Sequence, residues 1–175
     1  MKRYKVILWS MMLVFSVTAC MEDAEVWDSS VKGLSGEWYV KYNVEGLDED
    51  PFGAGYTTLL TFNTADDNGT EMWLTDVVNG TPNFWKYMVK VPVDMNNKTF
   101  GGEEIIKSVI DDYEIKIIVK NGIVVEDAMM LPSGTTADSI YYEIWFEDIS
   151  DAGLPDEQFM QVSGYRKSGF QEDEH

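Results

Sequence analysis

The chain has 175 residues and is strongly acidic, with 31 Asp and Glu against 13 Lys and Arg and a net charge of −18. That balance disfavours nucleic acid and anionic lipid headgroups as partners held by charge attraction, and leaves a basic partner or a cation open. The chain has one cysteine, so no intramolecular disulfide can form.

The first segment is a leader. Lys2, Arg3 and Lys5 form a basic start, and Val6 to Val17 is apolar apart from Ser10 and Ser16. A dozen apolar residues fall short of the roughly 20 that a spanning helix needs, and match the core of a secretory signal. The run ends in Val17-Thr18-Ala19-Cys20, placing the sole cysteine behind small residues. This resembles the bacterial lipoprotein signal, which implies cleavage before Cys20, acyl chains such as palmitate on that residue, and a membrane anchor. Cleavage there removes three basic residues and no acidic one, leaving a net charge of −21. From Cys20 to Leu34 the chain is polar and acidic and reads as a tether.

From Gly36 onward, short alternating runs are separated by turn residues, which predicts an all-β antiparallel domain. Trp38, Val40, Tyr42 and Val44 share one face of the first strand. Tyr56 to Asn63 and Thr70 to Val78 form a pair around Asp66-Asp67-Asn68-Gly69. A long strand follows over Phe84 to Val93, with Trp85, Tyr87 and Val89 on one face and Pro92 marking an edge or bulge. Lys98 to Gly101 is a short strand. Glu103 to Ile110 fits either a helical turn or a strand and reads as irregular. Tyr113 to Lys120 and Ile123 to Met130 flank Asn121-Gly122, a strong hairpin signal. Ser139 to Glu147 carries Ile140, Tyr142, Ile144 and Phe146 on one face, and Gln158 to Arg166 is the last strand. Eight or nine such strands suit a barrel wide enough for a side-chain core or one small ligand.

Gly36-Glu37-Trp38 at the opening strand, with Arg166 in the last, resembles the lipocalin or calycin superfamily. The resemblance implies that Trp38 lies inside the closed end with Arg166 across it. The segments Gly36-Glu37-Trp38, Thr61 to Asp66, Lys98-Thr99-Phe100, Asp138-Ser139-Ile140 and Ser163 to Phe170 also resemble a family of small lipoproteins of Bacteroides-like bacteria, the lipid-binding putative hydrolases. That likeness implies a lipocalin-like barrel at the cell envelope. The acidic residues Glu22, Asp23 and Glu25 after the cysteine resemble a surface-export signal and point to the outer membrane.

The expected organisation is a signal peptide over 1–19, Cys20 with an acidic tether to residue 34, a barrel over 35–170, and a disordered acidic tail over 171–175. Catalytic chemistry is not expected. His175 is the only histidine and sits in that tail, and no Gly-x-Ser-x-Gly elbow occurs. Asp48-Glu49-Asp50 and the 66–69 turn lack the spacing of a calcium loop, so neither a metal nor a cofactor is expected. The candidate cavity lining is Tyr42, Trp85, Tyr87, Tyr142 and Phe146, which suits a small apolar or amphipathic ligand. The alternative is a solid-core barrel whose outer surface contacts proteins or glycans in adhesion or assembly. Oligomeric state and strand registers stay open.

Overall fold

The computed structural model describes residues 28–175. The leader, Cys20 and the first part of the tether lie outside the described residues. Eleven strands follow in order: β1 (Gly36–Val44), β2 (Thr57–Asn63), β3 (Glu71–Thr75), β4 (Val77–Val78), β5 (Thr81–Pro82), β6 (Met88–Asp94), β7 (Thr99–Phe100), β8 (Ile106–Lys107), β9 (Lys116–Met130), β10 (Thr136–Phe146) and β11 (Met160–Arg166). Eight of them close a ring in the order β1-β2-β3-β6-β7-β9-β10-β11, every neighbour antiparallel. Strand β8 pairs with the start of β9 and continues β7 after a detour through Gly101 to Ile105. Closure leaves the ring without an unpaired edge.

The period-two pattern decides what lies inside. Trp38, Val40, Tyr42 and Val44 of β1 are buried, as are Ile140, Tyr142, Ile144 and Phe146 of β10. Met72 and Leu74, Val89 and Val91, Ile117 and Val119, and Met160 and Val162 complete a filled interior. Gly164 is required where β11 meets β1, because a Cβ there would lie 1.9 Å from the Tyr39 carbonyl oxygen.

Four local readings change. Residues 29–34, expected as tether, form a turn whose Val31 and Leu34 are fully buried and plug one end of the barrel, called the base here. Asn121-Gly122 is not a hairpin turn but a bulge inside the continuous β9. Asn121 takes φ 54°, and the register against β10 slips there. Gly122 is needed because a Cβ would meet the Phe100 ring and carbonyl at 2.5 Å. The long strand over 84–93 begins only at Met88; Lys86, with φ 66°, breaks the extension. The tail over 171–175 is not disordered: Gln171–Asp173 form a 3₁₀ turn, Asp173 is buried, and His175 stacks on Tyr56 with ring centroids 4.0 Å apart.

The other end, the mouth, is made by the connections 45–56, 76–87, 108–115 and 147–159. In the second of these, Asn79 and Gly80, both at positive φ, turn β4 back onto β5 as a small hairpin.

Candidate functional site

The five residues expected to line a cavity meet just below the mouth. Tyr42 comes from β1, Tyr87 from the end of the 76–87 connection, and Tyr142 and Phe146 from β10. Their three hydroxyls form a chain, with Tyr42 Oη 3.1 Å from Tyr87 Oη and the latter 2.8 Å from Tyr142 Oη. Loss of hydration raises all three phenols above their ordinary value, so they stay protonated donors. Trp85 stacks on Phe146 at 4.6 Å with 6° between planes, and Phe84 stacks on Tyr42 at 4.0 Å. Phe52 meets Phe84 edge-on at 5.3 Å. Strand residues and Tyr87 therefore fill the interior, and three half-buried rings on the connections, Phe52, Phe84 and Trp85, lie over it.

Asp76 holds that cover in place. Its carboxylate is fully buried, and it accepts N–H bonds from Phe84, Trp85 and Lys86 on Oδ2 (3.0, 2.6 and 3.1 Å) and from Tyr87 on Oδ1 (2.9 Å). Four amides around one carboxylate force the 84–87 backbone out of extension. At the rim, Asp148 accepts from Trp85 Nε1 at 2.9 Å and from the Tyr113 hydroxyl. Burial, and then the Asp148 carboxylate, push the Tyr113 phenol up. The Lys86 ammonium lies 5.7 Å above the Tyr113 ring.

At the base, Trp38 and Arg166 occupy directly opposed positions of β1 and β11. The guanidinium carbon sits 4.3 Å from the indole centroid. Arg166 also donates to Asp138 at 3.1 Å and to the carbonyls of Ser35 and Gly33. Trp38 Nε1 donates to Thr61 Oγ1 at 2.8 Å, and that hydroxyl donates to the Leu34 carbonyl at 2.6 Å. The pair thus ties the barrel to the turn that plugs it.

The family model described as lipid-binding putative hydrolase matches residues 23–171, spanning the whole ring from tether to last strand. The chain belongs to this family. The family and the barrel together support a lipid-binding role. No curated protein matches the chain.

The hydrolase part of the family description finds no assembled nucleophile and base among the described residues. His175 lies on the outer wall, bonded to the Tyr165 hydroxyl and flanked by Tyr39 and Tyr56. Asp173 receives the Ser133 and Ser168 hydroxyls directly, at 2.7 and 2.5 Å, so neither of these serines is paired with the imidazole. Among the described residues no group of three or more His, Cys, Asp or Glu could hold a metal, and no helix is long and apolar enough to cross a membrane. Cys20 lies outside the described residues.

Sequence reasoning missed Asp76 and Asp148. Both are single carboxylates among 31 acidic residues. The only local hint at Asp76 was its place between a strand and the Asn79-Gly80 turn.

Proposed function

We propose that this protein is an envelope lipoprotein, anchored through acyl chains on Cys20 at the outer membrane, that takes a small apolar or amphipathic ligand through the mouth of its barrel. One observation carries the reading. The rings that cover the interior, Phe52, Phe84 and Trp85, sit on connections rather than on ring strands. Swinging their side chains aside breaks the Trp85–Asp148 bond but no ladder hydrogen bond and none of the Asp76 bonds to the backbone, and it uncovers apolar surface around the tyrosine hydroxyls. The family description supports a lipid as the ligand.

Native mass spectrometry of the mature protein, as purified and after incubation with single-chain lipids, tests the binding. The expected result is a one-to-one complex, with a blue shift of tryptophan emission as Trp85 changes surroundings. Neither a complex nor an emission change with any lipid would sink it. Labelled palmitate incorporation, lost in Cys20→Ser, tests the anchor.

A second reading, contact with envelope proteins or glycans through the outer wall, is favoured by one feature of β9. Its outward residues Ile123, Val125, Met129 and Met130 are exposed, Met130 at 68%. Exposed apolar residues gathered on one strand suit a partner surface. Substituting Val125 and Met130 by Lys would abolish co-purification of that partner and leave lipid binding unchanged.

A further inference from the structure

The charge around the mouth points to the headgroup. Connections 45–56, 76–87, 108–115 and 147–159 together hold thirteen acidic residues and one basic residue, Lys86; Lys107 and Lys116 flank the third of them, and Lys41 and Lys116 pair with Glu49 and Glu147. The segments at the base, 28–35, 64–70, 95–98, 131–135 and 167–175, hold six acidic residues and three lysines. The negative field is therefore concentrated at the end that the aromatic rings cover.

The interior offers an anion no cation either. Among the described residues no Lys or Arg is buried, and the one charged group beside the tyrosine chain is the Asp76 carboxylate, whose acceptors are already occupied by four amides. A carboxylate or phosphate drawn inside would lose its hydration and meet no cation. At the rim the arrangement suits a cation. Trp85 Nε1 and the Tyr113 hydroxyl both donate to the Asp148 carboxylate, and the Lys86 ammonium already lies above the face of the Tyr113 ring. Aromatic faces beside a carboxylate are the surroundings in which organic ammonium groups bind.

We infer that the mouth selects amphiphiles whose headgroup carries an ammonium, and rejects fatty acids and other anionic lipids. The ammonium takes the place beside Trp85, Tyr113 and Asp148, with the alkyl chain lying over the filled interior in the space that the displaced Phe52 and Phe84 leave. This rests on the ligand-binding reading above and goes beyond it by naming the headgroup.

The test uses three probes of one chain length below their critical micelle concentrations: dodecyltrimethylammonium, monolauroylglycerol and dodecanoate. Binding to the mature protein is read by titration calorimetry and tryptophan emission. In 20 mM salt the ammonium probe should bind at one site, about tenfold tighter than dodecanoate, with the glycerol ester between them. In 0.5 M salt the spread should narrow to about twofold, because screening shortens the reach of the field to a few ångströms. Removing four exposed mouth charges (Asp111→Asn, Asp112→Asn, Asp156→Asn and Glu157→Gln) should narrow it in low salt too. Removing two base charges (Asp66→Asn and Glu172→Gln) should not. Dodecanoate or the ester binding as tightly as the ammonium probe in low salt would overturn the headgroup inference and leave the binding reading standing. A preference unmoved by the mouth substitutions would do the same. If none of the three binds, both fall together.

Discussion

Replacing Asp76 with alanine removes the acceptor of four backbone amides at once, and its cost can be worked from their surroundings. The Tyr87 N–H is buried, and leaving it unpaired costs about 1–3 kcal/mol. The Phe84, Trp85 and Lys86 amides are only partly buried. Water can reach them once the carboxylate is gone, so each loses roughly the net value of a hydrogen bond to a charged group less one to water, about 0.5–1 kcal/mol. The buried carboxylate no longer has to be desolvated, which offsets part of the loss. The sum is a destabilisation of about 3 kcal/mol. With a urea slope of about 2 kcal/mol per molar, the midpoint should fall by about 1.5 M. Hydrogen exchange gives the local reading. Amides 84–87 should lose protection far more than those of β1, since Thr75 Oγ1 and the Asp76 carbonyl still brace the connection only through Tyr87 and Asn83. A midpoint shift under about 0.5 M, or amides 84–87 that keep their protection, would refute the account of this carboxylate as the group that holds the aromatic cover.

Tyr87→Phe breaks the middle of the hydroxyl chain and should destabilise by about 1–3 kcal/mol, whereas changing Tyr42, Tyr87 and Tyr142 together to Phe should cost less per hydroxyl removed, because no buried partner is left behind; chemical denaturation of both variants decides it. The three phenols are raised in the folded state above the ordinary value of 10.0, while in the unfolded chain they ionise near it. Their contribution to stability is therefore complete below pH 10 and is lost as pH rises beyond it, and ultraviolet titration should show three tyrosines ionising only on unfolding. Gly164→Ala drives a Cβ into the Tyr39 carbonyl and should cost about 3 kcal/mol, read as a lowered melting temperature with the β1–β11 amides losing exchange protection.

The ring was legible where burial alternates along a strand. Trp38 to Val44 and Ile140 to Phe146 announce their inward faces because a one-residue shift would put four apolar side chains in water. The misread places share a cause: a local signal with two structural solutions, decided by a distant neighbour. Asn121 does adopt the positive φ that an Asn-Gly turn demands, but β7 and β10 lie on either side and convert the turn into a bulge. The alternation from Phe84 to Val93 is real in sequence, yet Asp76, eight to eleven residues earlier, claims the amides that would have continued the ladder. The aromatic residues under the mouth could be named from their strands. That loop residues Phe52 and Phe84 would cover them could not, because connections carry no periodicity.

The barrel is closed by pairing its first strand with its last: Trp38 opposes Arg166 and Val44 opposes Met160, partners more than one hundred residues apart. A chain emerging from the ribosome therefore cannot complete the ring until its final strand arrives. Until then β1 keeps an open ladder edge, and Trp38 lacks its guanidinium partner. Ring closure waits for β11, and folding should run at the slower pace expected when pairing is dominated by distant contacts. A truncation before Met160 should leave not a weakened barrel but an unclosed sheet with a free edge.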